Sequence, residues 1–226
     1  MKFGIVRKTI HHVVQKNMGE MRRGKYQSVL QELQAGATVV DIGVWCKMPE
    51  PNVNENWLEK QAPGSGKLIA VGLDSMQAFQ KKYPEVICVQ ANGMALPFKD
   101  GAVDIAISNA VLEHVPMEGH KDFVFEITRI VKRVAIFAVP DRAFPVEVHS
   151  RIPFLHWLPN WREVFRLVGE KNWASKEYLA TIFTIRSLKN LIYSVRPKKT
   201  WQIKRQKFFG WPVSLIAAFS PQKQSE

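Results

Sequence analysis

Three apolar runs, each closing on a polar or acidic residue, constrain the fold of this chain more than any other feature. They are Thr38-Val-Val-Asp41-Ile-Gly43, Leu68 to Asp74, and Val103 to Ser108 followed by Asn109. Short continuous apolar runs are the pattern of strands covered on both faces, which occur in parallel sheets flanked by helices. In such sheets the carboxyl ends of the strands form the rim where ligands bind. Here that rim is polar. Strands are expected at 38–42, 68–73, 86–89, 103–108 and 133–139, with helices at roughly 54–61, 75–82 and 121–132 between them. Alternation of this kind implies an α/β fold, a Rossmann-like sheet with helices on both faces.

The flanks extend the same architecture. Residues 3–34 read as mostly helical, with a break near Gly19 to Gly24 and an amphipathic first piece carrying Ile5, Ile10, Val13 and Val14. After Pro140 the alternation gives way to a stretch with Pro145, Pro153 and Pro159, His149 and His156, and several large apolar groups, which reads as a structured loop. Helical periodicity returns at 176–193. Two last strands, 200–207 and 213–220, complete a seven-stranded, mostly parallel sheet with one antiparallel strand near the C-terminus. A chain of 226 residues with 46% apolar content buries one sizeable core. A single domain spanning 1–226 is expected: an N-terminal helical segment to residue 35, a core over 36–140, a loop and helix over 141–200, and final strands over 201–226.

Charge is unevenly placed along the chain. The formal net charge is +12, yet residues 36–110 hold six Lys and Arg against eight acids, while residues 111–226 hold nineteen against ten. Such a basic flank attracts nucleic acid, anionic lipid or a phosphorylated substrate, and equally serves as a solvated face. Cys46 and Cys88 form neither a metal spacing nor a disulfide framework, which points to a reducing compartment. Charges and histidines among the first residues speak against a secretory leader. The longest apolar stretch, from Phe208 to Phe219, contains Gly210 and Pro212 and reads as a turn feeding a buried strand. A cytoplasmic location, peripheral at the membrane where Phe208 to Trp211 meets basic residues, is the expectation.

Taken together, Val40-Asp41-Ile42-Gly43, Asp74, and the run Leu96-Pro97-Phe98-Lys99-Asp100-Gly101 with Asp104 and Val111-Leu112-Glu113-His114 resemble a class I S-adenosylmethionine-dependent methyltransferase of the small bacterial type 11 kind. The resemblance covers about residues 36 to 140. It implies S-adenosylmethionine as cofactor, bound by Asp41, Gly43, Asp74, Ser75, Asn92, Gly93, Met94 and Asn109. Asp74 would accept hydrogen bonds from a ribose diol, a task suited to a carboxylate; alternatively it caps a helix beginning at Ser75. Asn92 stands where most relatives carry Asp, and it would meet the adenine amine; alternatively Asn92-Gly93 is an ordinary turn. After Gly43 the chain reads Val44-Trp45-Cys46-Lys47, whereas the family carries two further glycines there.

Methyl transfer from a sulfonium needs alignment, exclusion of water and, for a hydroxyl or amine acceptor, removal of a proton. His114 and His149 are the candidate catalytic residues, with Asn109, Glu113, Glu147 and His156 as further polar groups near the expected pocket. No metal site is expected. A dinucleotide Gly-x-Gly-x-x-Gly turn and a Walker loop are both missing from the sequence. Three readings follow: methyl transfer to a small-molecule or lipid-linked acceptor, a non-catalytic binding or scaffold protein of the same fold, and a basic nucleic-acid methyltransferase or binding protein. An anionic membrane surface is a further candidate partner.

Overall fold

The computed structural model describes residues 20–50, 55–62, 67–147, 152–167, 169, 174–175 and 179–221. Seven strands form one sheet in the order β3-β2-β1-β4-β5-β7-β6. They are β1 (Thr38–Ile42), β2 (Lys67–Gly72), β3 (Ile87–Gln90), β4 (Val103–Asn109), β5 (Val131–Pro140), β6 (Trp201–Phe208) and β7 (Trp211–Phe219). The helices are α1 (residues 20–34), α2 (Trp57–Gln61), α3 (Gln77–Lys82), α4 (His120–Arg129), α5 (Trp161–Leu167) and α6 (Ile185–Val195). β1 to β5 pair in parallel, and β7 runs antiparallel to both β5 and β6.

Why the apolar runs become strands is visible in what covers them. Alternate residues point to opposite faces, and each face meets its own helices. Val40, Ile42, Ile69, Val71 and Ala106 join Phe123, Ile127, Leu188 and Ile192 of α4 and α6 in one core. Val39, Leu68, Ala70, Ile105 and Ile107 join Tyr26, Val29, Leu33, Leu58 and Phe79 of α1, α2 and α3 in the other. At the far end of the sheet Trp201 packs against Phe137 and Phe219, with ring centroids 5.8 and 5.3 Å apart.

The Leu96 to Asp104 run owes its residue types to packing. Glu126 of α4 accepts from the Leu96 amide at 2.8 Å, and Arg129 donates to the carbonyls of Leu96 and Phe98 and to Asp100, the last at 2.7 Å. Gly101 turns at φ +58°, a conformation that favours glycine. Asp104 then accepts from the Thr38 amide at 2.8 Å and ties the start of β4 to the start of β1.

Several expected boundaries move, each for a physical reason. α4 ends at Arg129, and Val131 and Lys132 belong to β5, because Val131 pairs with Val103 in the parallel ladder. α3 begins at Gln77 with Met76 in the cap position, so Asp74 caps no helix. α1 runs unbroken through Gly24 over its described length, since burying Tyr26, Val29 and Leu33 on one face outweighs a glycine cost of about 1 kcal/mol. The helix expected over 176–193 starts only at Ile185. There Thr184 Oγ1 accepts from the Ser187 amide at 3.0 Å and Ser187 Oγ accepts from the Thr184 amide at 2.9 Å, a reciprocal cap. The first helical piece, with its apolar Ile5 to Val14 face, lies outside the described residues.

Candidate functional site

The chain moves outward from β1 to β3 and then returns to place β4 beside β1, so the strand order reverses between those two. Ligands of open α/β sheets bind at the carboxyl ends of strands where the order reverses. A cavity of about 310 Å³ opens there. Its walls come from Ile42 and Gly43 after β1, Val71 and Leu73 at β2, Ala91 to Met94 after β3, Val111, His114, Val115 and Pro116 after β4, and Phe123 of α4. A second hollow of about 190 Å³ shares Gly43 and Leu73 with it and is lined further by Val44 to Lys47 and Asp74.

The turn after β3 is built for close packing. Asn92 Oδ1 accepts from the Met94 amide at 3.0 Å, which fixes the loop. A Cβ on Gly93 would lie 2.5 Å from the Phe123 ring. Gly93 is therefore demanded by packing as well as by any ligand. Asp74 is exposed beyond β2, and Lys47 Nζ sits 3.3 Å from its carboxylate. Ser75 is exposed as well and lines neither hollow.

Gly43 adopts φ +88°, and its amide donates to the Val71 carbonyl at 2.8 Å. A Cβ there would lie 2.3 Å from Val111 Cγ2. The side chain of Val111 thus fills the Cβ side of the one glycine of the family pattern that this chain retains, while the glycine itself lines both hollows. Trp45 is turned outward, 40% exposed, and lines the smaller hollow rather than the larger. Its loop is held by Asn56, whose Oδ1 accepts from the Trp45 amide at 2.8 Å and whose Nδ2 donates to the Trp45 carbonyl and to Glu50 at 2.9 Å each. Glu50 also accepts from Lys60, Lys82 and Tyr83. Burial pushes its carboxyl up, but these four donors prevail and hold it at about 2.

Asp41 lies under the rim, 6% exposed, and lines neither hollow. Burial first, and then the nearby Glu59, raise its carboxyl well above the usual range, while Arg22 and a hydrogen bond from Tyr26 act the other way. Glu59 is itself buried, and burial raises it too; neither of its oxygens has a hydrogen-bond partner. At the end of β4, Asn109 accepts from Lys25 Nζ of α1 at 3.1 Å. Burial, followed by the like charge of Arg22, lowers Lys25 to about 8, with Glu113 offsetting part of this.

The candidate histidines separate clearly. His114 lines the larger cavity, with its amide donating to the Val111 carbonyl at 2.8 Å. His149 lies outside the described residues, as do His11 and His12. His156 is buried, and its Nε2 is engaged by the carbonyls of Arg142 and Phe144 at 3.0 and 2.9 Å. It braces the loop after β5. Glu113 and Glu147 are both buried beside Thr181 and Phe183 around a much smaller gap.

Gly43, Asn92, Gly93, Met94 and His114 are therefore brought to one cavity, Asp74 stands on its margin, and Asp41 and Asn109 flank it. Lys25, Arg22 and Tyr26 were not anticipated, because they belong to α1, outside the recognisable core of the sequence. Their signal was the helical spacing of Arg22, Lys25, Tyr26 and Val29, which sets two cations on an otherwise apolar face. No cluster of three or more potential metal ligands exists among the described residues.

Residues 56–139 match a family model described as a methyltransferase domain, of type 11. No curated protein sequence matches the chain. Among solved structures, a SAM-dependent methyltransferase from Aquifex aeolicus is similar at 15% identity and a TM-score of 0.53, covering 94% of this chain and 98% of its own. One from Archaeoglobus fulgidus is 11% identical, with a TM-score of 0.58 over 93% of this chain and 99% of its own. The magnesium protoporphyrin IX methyltransferase from Synechocystis with bound SAH is 16% identical, with a TM-score of 0.55 over 92% of this chain and 87% of its own. At such identities the likeness is one of fold.

Proposed function

We propose, from the match of residues 56–139 to a type 11 methyltransferase domain and from the strand order of the sheet, that the chain transfers a methyl group from S-adenosylmethionine to a small-molecule or lipid-linked acceptor. The observation that carries this reading is the cavity at the strand-order reversal, whose size lies at the low end of the roughly 300–1,000 Å³ of ligand pockets. Its lining is mostly apolar, with a few polar groups on the margin, as a flat heterocycle requires. The residues fit the nucleoside half of the cofactor: Asn92 to Met94 and Phe123 beside the adenine, and Asp74 at the ribose diol.

The sulfonium supplies an already activated methyl group. The protein's own part is to orient, to exclude water and to handle a proton. His114, on the cavity wall, is placed to receive a proton from a hydroxyl or amine acceptor. Lys47 is the ion-pair partner of Asp74 and has to yield part of that contact to the ribose hydroxyls. A lipid-linked acceptor is favoured by the β6–β7 hairpin, whose tip extends past the end of β5 on the same rim. There Phe209 is 85% exposed and Trp211 49%, beside the exposed Lys204, Arg205 and Lys207.

The non-catalytic reading rests on one observation, the Val111 side chain packed against the Cβ side of Gly43, which narrows the approach to that glycine. Calorimetric titration with S-adenosylhomocysteine decides between the two. Micromolar binding is expected, weakened about 10- to 100-fold in Asp74→Ala, the loss of hydrogen bonds to a charged group being worth about 1.5–3 kcal/mol. A wild-type protein that binds nothing at millimolar ligand sinks the enzyme reading and leaves a scaffold or a nucleic-acid binder.

A further inference from the structure

Two segments place large apolar side chains in solvent at the carboxyl end of the sheet. In the loop after β5, Phe154 is 55% exposed, Trp157 41% and Leu158 44%. No Lys, Arg, Asp or Glu occurs from Ile152 to Trp161. At the β6–β7 turn Phe209 and Trp211 stand out in the same way. Asp141 laces the two segments together: its amide donates to the Val213 carbonyl at 3.0 Å and its carboxylate accepts from Arg205 at 2.9 Å. The next residue, Arg142, offers its carbonyl to the Trp157 indole at 2.7 Å. β5 runs parallel to β4 and β4 to β1, so this end of β5 is the end that carries the cavity. β7 lies three strands from β1, about 14 Å along the rim.

The fold gains little from two of these rings and is strained by them. Phe154 adopts φ 62° and Phe209 φ 46°, left-handed backbone in which a bulky residue is an outlier. With Gly210 at φ 82° the β6–β7 turn has positive φ at both central positions, the hairpin geometry that prefers Asn-Gly. Each ring meets an aromatic neighbour edge-on, Trp157 at 5.1 Å from Phe154 and Phe208 at 4.5 Å from Phe209, and still faces water. Aromatic groups held in solvent on strained backbone mark a contact with something outside the chain. Charge says what that is. Lys204, Arg205 and Lys207 are exposed along β6, and no Asp or Glu occurs from Tyr178 to Ser225. Asp141 offsets Arg205, and the hairpin remains net positive. Rings and indoles beside cations suit the boundary of an anionic bilayer, where the cations meet lipid phosphates and the aromatic groups enter the head-group layer.

We propose that the Phe154–Leu158 loop and the Phe208–Trp211 turn together form a seat on an anionic bilayer, one that turns the mouth of the cavity toward the lipid head groups. The seat narrows the acceptor to the lipid-linked class: an acceptor presented from the head-group layer reaches the rim without leaving the membrane. That choice of acceptor rests on the cofactor reading given above, whereas the seat itself does not.

Cosedimentation with vesicles of phosphatidylcholine alone, and of phosphatidylcholine with phosphatidylglycerol, tests the seat beside calorimetric titration of S-adenosylhomocysteine into the same proteins. Wild type is expected to bind the anionic vesicles at least about 10-fold more tightly than the neutral ones. Phe154→Asn and Phe209→Asn are each expected to weaken that binding about 10-fold, because the ring no longer enters the boundary. Both variants should melt about 2–4 °C above wild type as the left-handed backbone relaxes, and both should keep the affinity for S-adenosylhomocysteine within about 2-fold. The double variant Lys204→Gln, Lys207→Gln is expected to lose most of the preference for anionic vesicles. Binding to neither vesicle overturns the seat and leaves the rings to a protein partner. Equal affinity for the two vesicle types overturns its anionic character. Binding that falls with salt but is unchanged in both Asn variants overturns it as well, leaving a basic surface open to any polyanion. Variants that melt well below wild type make the rings packing residues, which refutes the premise that the fold does not need them. A wild type that binds vesicles but not S-adenosylhomocysteine refutes the cofactor reading, and the acceptor with it, while the seat stands.

Discussion

Asn56→Ala should be among the most damaging single changes outside the two cores, although the residue lies in a loop. Its side chain makes three hydrogen bonds, two to the backbone of Trp45 and one to Glu50, and it is 6% exposed. The two neutral bonds contribute about 1 kcal/mol each and the bond to the carboxylate about 1.5 kcal/mol. Asn56 also adopts φ 47°, left-handed backbone in which alanine costs roughly 1–2 kcal/mol. The expected loss is about 5 kcal/mol, a large part of the total stability of an ordinary domain. Asn56→Gly removes the same bonds but none of the backbone freedom, so its loss should be about 3.5 kcal/mol. Urea unfolding followed by tryptophan fluorescence measures both. The two variants should also bind S-adenosylhomocysteine more weakly, since the loop that Asn56 fixes walls the hollow beside Asp74. A loss under about 2 kcal/mol, or equal losses for alanine and glycine, would refute this account of the loop.

Two further outcomes follow from charge and exposure. Asp41 and Glu59 hold their protons to higher pH in the folded chain than in the unfolded one, so the stability they contribute is complete below the ordinary carboxyl range and is lost as pH rises through their raised values. Glu59→Gln should therefore gain on wild type between about pH 5 and about pH 8 in thermal melts, and a constant difference across that range would contradict the buried pair. The Phe209→Ser, Trp211→Ser double variant should bind vesicles containing phosphatidylglycerol at least 10-fold more weakly than wild type, since burying two such side chains is worth about 1.5–3 kcal/mol each. Cosedimentation that is unchanged in the variant removes the membrane from the reading of the hairpin.

Much of the fold was legible because it depends on local pattern. A run such as Val39-Val40-Asp41-Ile42 is apolar on both sides of its backbone, and only a strand covered from both faces satisfies it. Boundaries were less legible where the end of one element is set by pairing with another, as with Val131 against Val103. The stretch Leu96 to Asp104, on which much of the family resemblance rests, turned out to be held by Arg129, Glu126 and Thr38, so that part of the resemblance reflects packing and not chemistry.

The site divides along the same line. That Asn92, Gly93 and Met94 would stand on the rim, with Asp74 nearby, was legible in the sequence because they follow directly on strand ends, whose direction the sheet fixes. Lys25 and Asn109 are 84 residues apart, Glu59 meets Asp41 from a separate helix, and Val111 covers Gly43 from the loop after β4. Which buried charge finds a partner, and whose side chain fills the space over a glycine, depend on how helices and loops of distant sequence settle on the sheet. The sequence by itself determined the strands and the polar rim, through apolar periodicity that acts over a few residues. Only the tertiary structure decided which side chains crowd that rim and with what charge, because burial and close contact are properties of the assembled layers.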